Sequence, residues 1–306
     1  MRDAFMAVLT EQAQADPTVN LIIADIGFKV VDPFVAAMPD QFLNVGIAEQ
    51  TMIGVAAGMA MLGKRPFAYS LGNFPTIRCL EQIRNDLCYH NLDVTVVSVG
   101  AGLAYGSLGY THHTVEDIAL MRALPNMHVY SPADAQEVRG LMELMASTAG
   151  PKYLRLGKNR EPVLHRTVPD LRAGEPVLLR DGSDITLAVT GPIASTVLEA
   201  AALLAAQGIS ARVLSVPVVK PLNAQALADA ASGTTCMVTV EEHNAIGGFG
   251  SAVLEGFNRL DIDMRVKIMG LPDLATSAIG SQEYLRDQAG LSAADICTQA
   301  QASLAR

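Results

Sequence analysis

Cysteine is sparse in this chain: Cys79, Cys88, Cys236 and Cys297 stand far apart, without metal-ligand spacing and without a C-x-x-C pair. That excludes a cysteine-built metal site and a dithiol redox motif, and it makes reduced core thiols in a cytoplasmic protein the expected state. No Lys/Arg-rich run is present and the formal net charge is -9, which argues against a nucleic-acid surface and against a polybasic membrane contact. No stretch approaches the roughly 18 uncharged apolar residues that a membrane span needs. The opening residues, Met1 to Leu9, pass quickly into Thr10-Glu11-Gln12, with neither the long apolar region nor the cleavage site of a secretory leader.

What remains is a chain of 306 residues, half of them apolar, enough for about two domains with a sizeable core. Short apolar runs alternate with helical stretches. Residues 2–14 read as a helix, Val19 to Ala24 as a strand, Arg65 to Tyr69 as another, 79–89 as a helix, and Val94 to Val99 and His128 to Tyr130 as strands. Such alternation implies an α/β fold around a parallel sheet. From Pro151 to Asp184 the texture turns charged and proline-bearing, as in Lys158-Asn159-Arg160-Glu161-Pro162 and Pro169-Asp170-Leu171-Arg172-Ala173-Gly174-Glu175-Pro176. Alternation then resumes with strands from Ile185, Ala211 and Cys236 and a helix over 195–207. We therefore expect a first domain over residues 1–165, a linker over 166–183 and a smaller α/β domain over 184–306.

The most informative stretch is Asn44-Val45-Gly46-Ile47-Ala48-Glu49-Gln50, running into a segment of small and apolar residues up to Leu62. Because these residues are apolar around the whole helical circumference, the segment reads as a buried helix from Gly46 onward. Its one carboxylate, Glu49, is costly there unless it finds a partner. A structural reading would give it the amides of its own helix terminus, or an arginine across an interface.

The wording Asn-Val-Gly-Ile-Ala-Glu-Gln before a Gly/Ala-rich helix resembles the pyrimidine-binding domain of thiamine diphosphate enzymes of the transketolase and deoxyxylulose-phosphate synthase type. The resemblance implies a doubly wound, pyrimidine-type thiamine-diphosphate-binding domain followed by a smaller transketolase C-terminal α/β domain. It implies that Glu49 hydrogen-bonds N1' of the cofactor's aminopyrimidine and favours its imino tautomer, acid-base help typically worth about 10²–10⁴-fold. In the loop Tyr69-Ser70-Leu71-Gly72-Asn73-Phe74-Pro75-Thr76-Ile77-Arg78, Phe74 falls on a cofactor-contacting phenylalanine of the family. Leu71 and Ile77 stand where relatives have aromatic rings, so packing is kept and stacking lost. In Leu108-Gly109-Tyr110-Thr111-His112-His113, His112 falls on the substrate-contacting histidine, an imidazole being able to move protons near neutrality. His113 beside it is a weaker candidate for the same substrate.

The departures bear on substrate. Leu108 stands where transketolases have an aspartate that reads a substrate hydroxyl, and Gly100 where they have a histidine that helps hold sugar phosphate. Lys158 falls near a phosphate-binding arginine, able to neutralise charge but not to grip it bidentately. Substrates other than ordinary pentose phosphates are therefore expected among small sugars. The family's Gly-Asp-Gly motif, which holds the diphosphate through Mg²⁺, occurs nowhere in the chain, so the resemblance places Mg²⁺ on another polypeptide. It implies the C-terminal subunit of a split transketolase, joined to an N-terminal subunit in an α2β2 heterotetramer. Two alternatives stay open. One is the β subunit of a 2-oxoacid dehydrogenase, or a deoxyxylulose-type synthase, acting by decarboxylation; the other is a non-catalytic interaction protein on the same fold. A dinucleotide-binding reading of Gly100-Ala101-Gly102 fails, because no helix opening follows and no ribose-binding acid stands about 20 residues on. The segment Glu241-Glu242-His243-Asn244 to Gly247-Gly248-Phe249-Gly250 is, by the same resemblance, chiefly structural.

Overall fold

The computed structural model describes residues 1–158, 161–171 and 174–305. Buried strands organise it: β1 (Val19–Ile23), β3 (Arg65–Leu71), β4 (Thr95–Val99) and β6 (Lys152–Leu156) bury side chains on both faces, with only the ends of β3 half-buried, as in a sheet covered on both sides. With β2 (Phe42–Asn44), β5 (His128–Tyr130) and β10 (Val218–Lys220) they form a seven-stranded sheet in the order β10-β5-β6-β4-β3-β1-β2. All neighbours run parallel except β10, which pairs antiparallel with β5. A second sheet has the order β12-β11-β8-β9-β7, from β7 (Val177–Arg180), β8 (Ile185–Thr190), β9 (Ala211–Ser215), β11 (Met237–Asn244) and β12 (Val266–Leu271). Here only β7 is antiparallel.

Helices cover both sheets. In the first half they are α1 (Arg2–Ala15), α2 (Asp32–Ala37), α3 (Glu49–Met61), the short α4 (Leu80–Gln82), α5 (Asp117–Ala123) and α6 (Ala135–Ala146). The second half carries α7 (Ala194–Ala205), α8 (Ala224–Ala230), α9 (Phe249–Arg259), α10 (Gln282–Gln288) and α11 (Ala293–Leu304). The α/β architecture expected from the alternation, and its doubly wound form implied by the resemblance, are the ones found. Where a helix over 79–89 was expected, α4 passes into wider π-type turns over Ile83–Cys88.

Two expectations change. Residues 177–180, inside the stretch read as a linker, form the edge strand β7; Arg172 and Ala173 of that stretch, like Asn159 and Arg160 before it, lie outside the described residues. Residues 218–220, well beyond the expected boundary, complete the first sheet rather than the second. Both strands are short, and both lie at sheet edges, where hydrophobic alternation is weakest as a sequence signal.

A buried polar seam joins the halves. Arg155 on β6 donates to Asp117 (Nε–Oδ2 2.7 Å) and to the carbonyls of Thr114 (2.8 Å) and Glu242 (3.0 Å), and the Tyr153 hydroxyl donates to the same Asp117 oxygen at 2.6 Å. Glu242 in turn accepts from the Leu103 amide at 2.6 Å and from Arg286 Nε at 2.7 Å. The Asn244 amide reaches the Val115 carbonyl at 2.8 Å. Glu241 accepts the amides of Phe249 (2.6 Å) and Gly250 (2.8 Å) at the start of α9, and burial lifts its carboxyl to about 7. The Glu241–Gly250 segment thus anchors α9 and the interface, the structural part expected of it.

Candidate active site

Glu49 owes its position to a turn that the sequence spells out. The Asn44 side chain closes the end of β2: its Oδ1 accepts from the amides of Asp25 and Gly46, both at 3.0 Å, while its Nδ2 donates to Asp25 Oδ1 at 3.0 Å. Gly46 takes φ +76°, a conformation glycine adopts without penalty. The chain then enters α3 at Glu49, three residues later than the apolar pattern suggested. The carboxylate is 3 % exposed.

Nor is α3 buried all round. Met52, Ile53, Ala56 and Ala57 pack with Ile22, Ala68, Ile83 and Leu87, whereas Gln50, Thr51, Gly54, Gly58 and Met61 face outward. An added Cβ at Gly54 or Gly58 would meet nothing within 4 Å. The apolar pattern did not distinguish a face buried inside the chain from one left open on it.

Arg78, in the loop after β3, supplies the partner. Its Nη1 donates to Glu49 Oε2 at 2.6 Å, and among the described residues Oε1 has no hydrogen bond. The Arg78 guanidinium carbon lies 4.6 Å from the centroid of the Phe74 ring, and that ring meets His112 edge-on at 5.5 Å. Glu49, Phe74 and His112 are thus linked through one arginine into a continuous row. The missed signal was a cation four residues after the family's phenylalanine, the first basic side chain within reach of a carboxylate that needed one.

Two contacts hold the loops in register. Asn73 Nδ2 donates to the His113 carbonyl, and Gly72 lies against Thr114, whose Oγ1 would stand 2.6 Å from an added Cβ. His112 Nδ1 is 3.0 Å from the Thr111 hydroxyl, which leaves its other ring nitrogen available. His113 goes elsewhere. It is buried, burial lowers its pKa, and it lines a cavity of about 160 Å³ with Tyr110, Glu116, Asn244 and residues 271–276, a cavity that Glu49 and Phe74 do not line.

The remaining candidates lie around this row. Leu71 ends β3 half-buried, and Ile77 and Leu108 are exposed on short 3₁₀ turns. Lys158 sits with its Nζ 4.8 Å from the centroid of the Tyr105 ring. Tyr105 fills the space at Gly100, where any Cβ would strike its ring. The change at Gly100 and the position of Lys158 are therefore parts of one arrangement.

A buried carboxylate at a helix start, a flanking aromatic ring and a loop histidine thus stand side by side in one row. The profile of the transketolase pyrimidine-binding domain matches residues 1–162. The chain belongs to the transketolase family. The profile of the transketolase C-terminal domain matches residues 174–296. This transketolase chain is 35 % identical over 297 residues to the 6-deoxy-6-sulfo-D-fructose transketolase subunit of Clostridium sp. strain MSTE9, covering 97 % of this chain and 92 % of that one. It is 35 % identical over 274 residues to an apulose-4-phosphate transketolase subunit of Phocaeicola vulgatus, covering 89 % and 87 %. A solved structure described as a split gene transketolase, an inactive β4 tetramer, superposes with a TM-score of 0.91 at 37 % identity, over 99 % of this chain and 98 % of that one. A transketolase from Pichia stipitis, at 20 % identity, shares the fold with a TM-score of 0.83, but this chain covers 45 % of it. The chain therefore has the extent of a separate transketolase subunit, made of the pyrimidine-binding and C-terminal domains of a thiamine-dependent transferase.

Proposed function

We propose that this chain supplies the pyrimidine side of a two-subunit transketolase that moves a two-carbon ketol unit from a small, non-standard ketose to an aldehyde. When bound, thiamine diphosphate supplies the carbon nucleophile and electron sink for that transfer. Glu49 would hold the pyrimidine N1', with Phe74 against the ring and Leu71 and Ile77 as apolar wall. His112 would meet the substrate oxygen at which a proton is gained or lost. Lys158 would draw an anionic substrate group, and the apolar Leu108 would favour sugars unlike the common pentose phosphates, with His113 in a supporting place behind the loop. The observation that carries the reading is the buried Glu49 carboxylate, with one oxygen unpartnered among the described residues, in a row with an aromatic ring and a histidine.

The diphosphate and its Mg²⁺ belong, on this reading, to an N-terminal subunit that carries Gly-Asp-Gly, in an α2β2 heterotetramer. The open face of α3, flanked by exposed Ile47, Met61 and Leu62, is where we place that assembly contact. The relative described as an inactive β4 tetramer fits a site that one kind of subunit does not complete. The relatives named for apulose-4-phosphate and for a sulfonated deoxyfructose support unusual sugars. Four free, buried cysteines fit a cytoplasmic setting.

Glu49→Gln in the complex co-purified with its partner is the test. Ketol transfer, screened over phosphorylated and unphosphorylated ketoses, should fall at least about 100-fold with an unchanged melting temperature; full activity in that variant rejects the assignment. A decarboxylating reading has support in the 1-deoxy-D-xylulose-5-phosphate synthase of Thermomicrobium roseum, 38 % identical over 99 % of this chain and 48 % of that one. Release of CO₂ from pyruvate by the same complex would select it.

A further inference from the structure

Arg78 occupies a telling position between Glu49 and the surface. It gives the carboxylate one in-plane N–H bond of 2.6 Å and lays its guanidinium 4.6 Å from the Phe74 centroid. A guanidinium is flat, delocalised and cationic, with donors in its plane and a face that stacks on aromatic rings. An aminopyrimidine engaged by a carboxylate at a ring nitrogen has the same outline: flat, with an in-plane hydrogen bond to the acid and a face for the aromatic ring. Among the contacts that the functional reading assigns to the pyrimidine are the in-plane bond to the Glu49 carboxylate and the face of the Phe74 ring. Arg78 already engages both, through one carboxylate oxygen and one face of the ring.

We propose that Arg78 is a built-in stand-in for the pyrimidine, holding its subsite in the cofactor-free subunit and leaving when thiamine diphosphate binds. This rests on the roles proposed above for Glu49 and Phe74. A buried carboxylate left without a partner is costly, so the subunit needs a cation at Glu49 until the cofactor arrives. The arginine is built to leave. Its side chain is 47 % exposed and, among the described residues, makes no hydrogen bond other than that to Glu49. Its backbone, by contrast, is tied on both sides: the amide donates to the Asn73 carbonyl at 3.3 Å, and the carbonyl accepts from Gln50 Nε2 at 3.1 Å. The side chain can therefore swing into water while the loop carrying Phe74 stays in place. Exchange of one flat donor for another keeps Glu49 paired throughout, and cofactor affinity is reduced by the preference of the free subunit for its own arginine.

The test titrates thiamine diphosphate with Mg²⁺ into the complex of this chain and its diphosphate-binding partner subunit, following heat of binding and association rate rather than turnover. Arg78→Met removes the occupant and should tighten binding and speed association by about tenfold, the reward for releasing a competing state. Arg78→Lys keeps the charge, and so the fold, but loses the flat face; it should gain about threefold, and it decides the matter if the methionine variant does not fold. Binding that is unchanged or weaker in these variants, with normal binding by the wild type, overturns the stand-in role and makes Arg78 a resident of the loaded site. A wild-type complex that takes up no thiamine diphosphate overturns the functional reading and this inference together.

Discussion

Glu49, Phe74 and His112 were named in the sequence through the family resemblance, and in the structure local turns and loop contacts bring them into one row. Asn44 and Gly46 build the turn before Glu49, while Gly72, Asn73 and Thr114 bring the loops of Phe74 and His112 together. Arg78 was not legible as a partner, because it meets Glu49 only after β3 has returned the chain 29 residues later. Phe74→Ala should weaken binding of thiamine diphosphate by the complex, by about threefold to tenfold for one lost ring contact, as calorimetry would show. The Asp117–Arg155 pair was equally hidden, since nothing local marks a strand arginine as fully buried. Asp117→Asn leaves Arg155 buried without its counter-charge and should cost about 3–5 kcal/mol in urea unfolding of this chain. A loss below about 1 kcal/mol would show that water already reaches the pair.

At the level of elements, periodicity placed β1, β3, β4, β5, β8 and α1 within a residue or two, the strands by short runs of apolar residues and α1 by apolar positions at helical spacing. It misjudged α3, whose glycines are as small on an open face as they would be in a core. Gly54→Ala should therefore stabilise the isolated chain by about 0.8–1 kcal/mol through helix propensity alone. Gly54→Leu should leave the chain folded yet prevent assembly with the partner, read by light scattering; normal assembly in that variant would move the contact away from α3. Another element-level device fastens the segment after β6. Asp134 caps α6 and also accepts the amides of Leu164 (2.7 Å) and His165 (3.0 Å), while His165 Nε2 lies 2.9 Å from Glu137. Burial opposes the charged imidazole, but the bond and charge of Glu137 outweigh it, so the pKa of His165 is raised. A raised histidine pKa means the fold binds the proton more tightly than the unfolded chain does. The stabilisation is thus complete below about pH 6.5 and fades as pH climbs through the raised value. The gap in melting temperature between wild type and His165→Gln should be wider at pH 5.5 than at pH 8.5, reflecting no more than about 1 kcal/mol. An equal gap at both values would dismiss the charge contribution.

For the molecule as a whole, the alternation of strands and helices revealed the α/β class and both sheets, but not how the halves interlock. The seam of Arg155, Glu242 and Arg286 and the strand β10 are long-range features with no local pattern to announce them. Expressed alone, residues 1–165 would leave the edge of β5 uncovered where β10 should lie, and should form larger aggregates in light scattering than the whole chain does under the same conditions. A monodisperse fragment would show that the edge protects itself.

That borrowed strand also constrains recombination. A chimera joined at the apparent linker, taking its front from one homologue and its back from another, would bring a foreign Val218–Lys220 to lie along the native His128–Tyr130. Exchanges that carry residues 128–130 and 218–220 from the same parent should fold more often than exchanges that part them, so the practical seam for shuffling substrate preference follows the sheet and not the stretch of prolines.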